Sequence, residues 1–176
     1  MRNRVEATEP EAGSEIRRRL PGAYFHDCYR IALPSPDASA FELYLQVVAH
    51  TPSWVNALMG LRNWMAGLAG LKNLGRLAAF DATRQPGAYK VGDRVGIFTL
   101  LYLTPEEVIL GDSDKHLDVA LSVRRVDGKW LHTCTVVHVH NALGRLYMLP
   151  VTPLHKLIVQ RMLANATHAH PQSPAN

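Results

Sequence analysis

The first half of the chain alternates between a strand pattern and two helix patterns. Residues 24–33 are rich in aromatic and β-branched side chains and end at two prolines, which predicts a strand. Asp37 is placed to cap a helix whose apolar positions fall in 41–48. Thr51-Pro52 predicts the start of a second helix. Its apolar face has the three- and four-residue spacing of a helix, with Trp54, Leu58, Leu61, Met65 and Leu68.

The second half has a β pattern, followed by helix. Residues 72–93 predict a long connecting loop, which we interpret as a candidate lid. Four strands are predicted after it, at 94–103, 108–112, 116–125 and 129–140. The sequence then predicts a short helix that Pro150 ends, and a longer helix that Thr152-Pro153 begins and that runs through Leu163.

The turn at Asp127-Gly128 predicts how the last two strands pair. Asp-Gly is typical of a two-residue hairpin, and the type I′ form would bring two apolar sets onto one inward face. That predicted face pairs Leu117 with His138, Val119 with Val136, Leu121 with Cys134 and Val123 with His132. A slip of one residue would reverse the assignment for one strand.

These elements predict an α+β fold in which a sheet packs against helices. The polar ends, residues 1–19 and 165–176, are predicted to be flexible tails around a single domain at 20–164. With 176 residues, of which 47% are hydrophobic, the chain is long enough to bury one core, and general disorder is excluded.

Composition and charge limit the kinds of partner and the cellular location that we expect. The net charge of +4 is scattered along the chain, so we expect no nucleic-acid partner. The sequence shows neither the apolar segment of a secretory signal nor an uninterrupted membrane-spanning run, so we expect no stable membrane insertion and a cytoplasmic location. The chain has two cysteines, Cys28 and Cys134, which are too few for a disulfide scaffold or a four-cysteine zinc site. We expect both thiols to be reduced. The oligomeric state is not predicted.

Four runs in the second half of the chain carry a family resemblance. They are Val91-Gly92-Asp93-Arg94-Val95-Gly96-Ile97-Phe98, Leu110-Gly111-Asp112-Ser113-Asp114-Lys115-His116-Leu117-Asp118, His140-Asn141-Ala142-Leu143-Gly144-Arg145-Leu146-Tyr147 and Pro153-Leu154-His155-Lys156-Leu157-Ile158-Val159. In this order they resemble the bacterial family called domain of unknown function 2867, over about residues 20–164. That family resembles the START and Bet v 1-like superfamily, also called SRPBCC or polyketide cyclase-like.

The resemblance implies a helix-grip fold, in which a curved antiparallel sheet wraps around a long C-terminal helix and leaves an apolar cavity. It implies no activity. Some members of the family carry the domain behind a dehydrogenase-like domain, which implies an accessory role for such a partner. This chain has no Gly-x-Gly-x-x-Gly run, and we expect no cofactor.

Acidic and histidine side chains collect around the turn near residue 114. The cluster consists of Asp112, Asp114, His116, Asp118, His138 and His140. It is compatible with a metal site or with an Asp–His general base. Alternatively, the carboxylates build the turn through hydrogen bonds to the backbone, and the histidines are structural. Because alternation divides the cluster between two faces, we assign neither a metal ligand nor a catalytic residue.

A second group lies at the junction with the last helix. Asn141 is placed to cap that helix, and Gly144 permits a close approach of backbones. Arg145 could pair with Asp112 or Asp118, or hold an anionic ligand head. The alternative is a capping corner that joins the helix to the sheet.

We interpret the chain as a module that binds a small apolar or amphipathic ligand between the sheet and the C-terminal helix. The predicted ligand-binding residues are His138, Asp118, Arg145, Tyr147, His155, Leu117, Val119, Leu121 and Val136, with further wall positions at Val95, Ile97, Leu154 and Ile158. One alternative is a cyclase- or hydrolase-like enzyme in which Asp112 or Asp114 orients His138 as the general base. The other alternative is an accessory role for a dehydrogenase-like partner.

Overall fold

The computed structural model describes residues 4–55, 57 and 84–168. Within them the strands form one antiparallel sheet in the order β1-β2-β7-β6-β5-β4-β3. The strands are β1 Glu6–Ala7, β2 Phe25–Ala32, β3 Arg94–Val95, β4 Phe98–Leu103, β5 Glu107–Ser113, β6 Leu117–Val126 and β7 Trp130–Val139. The α-helices are α1 Ala40–Ala49 and α2 Ala142–His168, and short 3₁₀ helices lie at Glu15–Arg19 and Pro86–Ala88. The predicted α+β class, with a curved antiparallel sheet and a long C-terminal helix, is confirmed.

Helix α1 begins two residues later in the sequence than predicted. Its cap is Ser39 rather than Asp37: the Ser39 hydroxyl accepts from the Glu42 backbone N–H at 3.3 Å. The Glu42 carboxylate accepts from the Ser39 backbone N–H at 2.7 Å, which completes a capping box. The hydrogen bonds from the Ser39 backbone and side chain lower the pKa of Glu42. This cap directs the apolar face of α1 into the core.

Helix α2 is continuous, which corrects the predicted break at Pro150. Both Pro150 and Pro153 lie inside the helix. Each proline removes one backbone donor, and the Thr152 hydroxyl adds a hydrogen bond of 2.8 Å to the Met148 carbonyl in the same region. Because the helix is unbroken, one element packs against both β2 and α1. No helix within the described part of the chain is long and apolar enough to cross a membrane.

The predicted strand at 94–103 is also corrected, because it forms two strands. Gly96 adopts a positive φ of 61°, which allows a tight turn between β3 and β4. Of the candidate lid at 72–93, only residues 84–93 are described, and there Tyr89 is buried with its ring centroid 5.1 Å from that of Phe41. The predicted second helix lies largely outside the described residues, which show its first turn at 53–55 as helical.

The pairing of β6 with β7 differs from the prediction by one residue. Asp127 and Gly128 both have positive φ, and the Lys129 N–H donates to the Val126 carbonyl, so the predicted type I′ turn does form. The ladder nevertheless begins with Val126 opposite Trp130, which leaves Lys129 as an extra residue in the loop. Every β7 side chain therefore lies on the face opposite to the predicted one.

The N-terminal segment covers the outer face of the sheet, so the expectation of a flexible tail at residues 1–19 is corrected for residues 4–19. Strand β1 pairs with β2, and Ile16 in the 3₁₀ helix is fully buried. The Glu107 carboxylate, itself 2% exposed, accepts hydrogen bonds from the backbone N–H groups of Glu15 at 2.8 Å and Ile16 at 3.2 Å. Ser122 and Arg124 donate to the same carboxylate, at 2.9 Å each.

Beneath this segment, Cys28 and Cys134 form a disulfide. The two residues lie directly opposite each other in β2 and β7, and each is 3% exposed. This corrects the expectation that both thiols are reduced. The sequence contained no local signal for the bond, because 106 residues separate the two cysteines and the β2–β7 pairing was not predicted.

His132 on the outer face makes the stability of the fold dependent on pH. Burial lowers the pKa of His132 below its ordinary value of 6.5. The positive charges of Arg30 and Arg124 also lower this pKa, whereas the negative charges of Glu11 and Asp127 raise it by less than the lowering effects together. The unfolded chain therefore binds a proton that the folded chain does not, and stability should decrease as the pH falls below about 6.5. We expect His132→Gln to reduce this decrease when urea unfolding is compared at about pH 7 and about pH 5.5. Equal losses in the two proteins would contradict this expectation.

Candidate functional site

The inner face of the sheet and the two helices line a cavity of about 280 Å³. Alternation along β6 and β7 directs every second side chain of each strand into it, and α2 forms the opposite wall. The volume is about twice that of the roughly 150 Å³ engineered cavity that holds benzene, and lies close to the lower limit of about 300 Å³ for ligand pockets. The site therefore has room for a molecule of about two fused rings.

Most of the wall is apolar. From the sheet come Phe25, Ile97, Phe98, Leu117, Val119, Leu121, Val123 and Val137, and from the helical side come Val47, Val48, Val55, Met148, Val151, Leu154, Ile158, Val159, Met162 and Leu163. The polar residues in the wall are Tyr44, Asp112, Asp114, Thr133, Thr135, Tyr147 and His155. Such a lining, apolar with a few polar groups, is typical of small-molecule sites.

Part of the predicted ligand-binding set lies in this wall. Leu117, Val119, Leu121, Tyr147 and His155 line the cavity, as do the further wall positions Ile97, Leu154 and Ile158. Val95 is buried in the adjoining core cluster and is not part of the lining. The structure brings these residues together, and their binding of a ligand stays a prediction.

The remaining predicted residues do not lie in the wall. His138 and Val136 were placed on the inward face, and the one-residue change of register puts both on the outer face, where Val136 joins the cluster around Ile16. His138 donates through Nε2 to the Arg19 carbonyl at 2.8 Å. Asp118 is opposite His138 on the same outer face. Arg145 is exposed, and the predicted pairs with Asp112 and Asp118 are corrected, because those carboxylates have other partners.

The acidic and histidine cluster is distributed among separate structural contacts. Asp114 accepts from the backbone N–H groups of His116 and Leu117, at 2.7 and 3.0 Å, and so builds the turn. Asp112 lies 3.2 Å from Arg94 Nη1, and Asp118 lies 3.1 Å from His140 Nε2. Among the described residues, no three histidine, cysteine, aspartate or glutamate side chains are grouped to hold a metal ion.

Two opposing effects set the pKa of Asp118 on the outer face. Burial raises the pKa of Asp118, but the hydrogen bonds from Ser113 and His140 outweigh that effect, and the pKa lies below its ordinary value. The carboxylate is therefore ionised, and it is oriented by contacts outside the cavity.

The junction between sheet and helix matches its prediction. The Asn141 side chain accepts from the Gly144 backbone N–H at 3.0 Å and donates to the Lys115 carbonyl at 2.9 Å. Gly144 is buried, and a Cβ placed there would lie 2.4 Å from the His116 carbonyl oxygen. The predicted cap and the predicted close approach are both confirmed, and they set the position of α2 against the cavity.

Three hydroxyl groups in the wall were not predicted. Tyr44, Thr133 and Thr135 are 1%, 5% and 3% exposed, and the structure provides no hydrogen-bond partner for their side-chain oxygens. Burial raises the pKa of Tyr44, so its phenol stays protonated and can both donate and accept. Buried polar atoms are normally paired, and three unpaired oxygens in one cavity wall are therefore unusual.

A His–Asp pair, also not predicted, lies beside these hydroxyls. His155 Nε2 of α2 lies 3.3 Å from Asp27 Oδ1 of β2, and the Asp27 side chain is 9% exposed. Asp27 pairs with Thr135 across the sheet, so both side chains lie on the inner face. The second carboxylate oxygen, Oδ2, is buried without a partner.

One sequence signal could have found this pair. Asp27 is the single charged residue among the alternating inward positions Phe25, Asp27, Tyr29 and Ile31, and a charge in such a position usually has a specific partner. For the threonines the correct register was necessary, because the predicted register turned them outward.

Comparisons with known proteins give one family and no close relative. A family model described as "Protein of unknown function (DUF2867)" matches residues 19–162. No curated protein and no solved structure matches the chain.

Proposed function

We propose that this chain, which belongs to the DUF2867 family of proteins of unknown function, binds a small and largely apolar molecule in the cavity between its sheet and α2. The observation that carries the proposal is the cavity of about 280 Å³ with a largely apolar wall. The apolar atoms that line a cavity of this size have fewer contacts than the atoms of a packed interior. A ligand would restore those contacts and stabilise the folded state in proportion to its binding.

The likeness to START and Bet v 1-like proteins is part of this proposal. It is supported by the strand order and by the position of α2 along the inner face. The partner we propose is a small molecule rather than a nucleic acid or a membrane. The accessory role for a dehydrogenase-like partner rests on the family resemblance alone, and we carry it no further.

Filling the cavity should abolish binding. In Ile158→Trp the larger side chain enters the space that a ligand would occupy, and we expect the affinity for naphthalene, followed by fluorescence, to fall at least about tenfold. Leu149→Trp is the matched control on the same helix, because Leu149 is 65% exposed, and it should bind as the unmodified protein does.

A second filling variant, Val119→Phe on the opposite wall, guards against a folding defect in the first, and thermal unfolding of each variant verifies that it folds. Equal naphthalene affinity in Ile158→Trp, Val119→Phe and Leu149→Trp would show that the probe binds elsewhere and would refute the proposal.

The contact between His155 and Asp27 favours acid–base catalysis as a second candidate function. His155 lines the cavity, and in the tautomer whose Nε2–H donates to Asp27 its Nδ1 is unprotonated and can act as a base. This arrangement differs from the predicted one, because His138 lies on the outer face. For an enzyme, His155→Gln should lower turnover by about 10²–10⁴ while the binding of substrate is kept. A comparable loss of binding would instead assign His155 to the ligand site.

The compartment is a further part of the proposal. The sequence predicts a cytoplasmic location, and the Cys28–Cys134 disulfide argues for an oxidising one, because cytosolic thiols are normally kept reduced. Thiol titration of unreduced protein from its native cells distinguishes the two, since a cytoplasmic location predicts two free thiols and an oxidising compartment predicts none.

A further inference from the structure

From the polar groups of the cavity we infer the chemical class of its ligand: an uncharged molecule with a two-ring apolar body and one hydroxyl group. This inference rests on the proposed function and specifies the ligand of the same site. It starts from Tyr44, Thr133 and Thr135, three residues of the cavity wall whose buried hydroxyl oxygens have no hydrogen-bond partner.

The two threonines form a polar patch in the sheet wall. They are two residues apart on β7, so their side chains project from the same face, and each lies opposite an apolar residue of β6: Thr133 opposite Val123, and Thr135 opposite Leu121. A hydroxyl group can donate one hydrogen bond and accept two. Because both oxygens are buried, a threonine must turn about χ1 to meet a ligand hydroxyl, which then satisfies a group that the protein leaves unpaired.

His155 adds a hydrogen-bonding group from the helix wall. When Nε2 carries the proton that is shared with Asp27, Nδ1 is left as an acceptor. Asp27 therefore acts as a positioning residue for the imidazole, and a ligand O–H is a suitable donor to it. In this inference the sheet wall supplies hydroxyl groups and the helix wall supplies an imidazole acceptor for a ligand hydroxyl.

The charges around the cavity disfavour a ligand with an anionic group. The acidic residues in the wall are Asp112 and Asp114, and Asp27 lies next to His155. No lysine or arginine is among the described residues of the wall. Arg94, which is not a wall residue, is paired with Asp112 at 3.2 Å. A carboxylate brought into this space would lose its hydration without a lysine or arginine of the described wall to pair with, so an uncharged ligand is favoured.

The inference is tested with three probes of the same ring system: naphthalene, 2-naphthol and 2-naphthoate. We expect 2-naphthol to bind at least about tenfold more tightly than naphthalene, and 2-naphthoate to bind more weakly than either at about pH 7. Partition from water alone predicts the opposite order for the first two probes, because a hydroxyl favours water over an apolar interior.

The double variant Thr133→Val/Thr135→Val removes the patch with almost no change in shape. It should lower the preference for 2-naphthol over naphthalene, a ratio of two affinities measured in the same variant, at least about threefold. Thr99→Val is the matched control: Thr99 is a β4 residue outside the wall, and its replacement should keep the full preference. Thermal unfolding verifies that each variant is folded.

The outcomes separate this inference from the proposed function. If naphthalene and 2-naphthol bind equally well, or if the double variant keeps the full preference, the hydroxyl recognition is refuted while ligand binding itself survives. If the protein binds none of the three probes, the proposed function is refuted together with the inference.

Discussion

Glu107→Gln is expected to lower the free energy of unfolding by about 3–5 kcal/mol, which is the usual cost of breaking a buried ion pair on one side. The carboxylate is 2% exposed, and it accepts from two backbone N–H groups, from Ser122 and from Arg124. The substitution keeps the shape, but it removes the charge opposite Arg124 and replaces one acceptor oxygen by a donor. At least one of the N–H or guanidinium donors is then left unpaired.

Urea unfolding measures this loss, and the neighbouring residue provides the control. Glu106 is exposed, so Glu106→Gln should change the stability by less than about 0.5 kcal/mol. Hydrogen exchange gives a second measurement, because the amides of Glu15 and Ile16 should lose protection in Glu107→Gln first. If the two variants were equally stable, Glu107 would not hold the N-terminal segment on the sheet.

Gly144→Ala is expected to destabilise the protein by about 2–3 kcal/mol, although alanine favours helix formation. The added Cβ would lie 2.4 Å from the His116 carbonyl oxygen and 2.9 Å from Val139 Cγ1. The first of these atoms is backbone and cannot rotate away, so the start of α2 would have to move away from the sheet.

Gly87→Ala is the matched control, since a Cβ at Gly87 meets no atom within 4 Å. It should be neutral or slightly stabilising, because alanine reduces the entropy of the unfolded chain. Thermal unfolding of both variants provides the comparison. If Gly144→Ala proved as stable as Gly87→Ala, the close contact between α2 and the β5–β6 turn would be wrong.

Local chemistry made much of the fold predictable. Strands β2, β5, β6 and β7 follow from runs of β-branched and aromatic residues between turn signals. Asn141 and Gly144 could be assigned because a cap and a close approach each require a particular residue type. The helix-grip architecture, by contrast, came from the family resemblance.

The register of β7 shows where local reasoning fails. The type I′ turn was predicted correctly, but one extra residue, Lys129, moves every β7 side chain to the other face. His138 and Val136 therefore left the predicted site, while Thr133 and Thr135 entered it. A two-residue periodicity determines the faces only after the pairing is known.

Contacts between distant parts of the chain were inaccessible for a related reason. Ile16 is one apolar residue in a charged segment, and its burial depends on distant parts of the chain: the apolar cluster around it and the acceptor at Glu107, 91 residues away. The Cys28–Cys134 and Asp27–His155 contacts depend in the same way on the placement of β2 beside β7 and beneath α2. Composition and spacing do not encode such pairings.

The central claim is that the space between the sheet and α2 accepts a guest molecule. A crystal structure of the protein grown with naphthalene tests it most directly. Our account predicts density for the ring system in contact with Val119, Leu121 and Ile158, with the strands and α2 in their present positions. A structure in which the surrounding side chains fill that space, leaving no void larger than a water molecule or two, would contradict it.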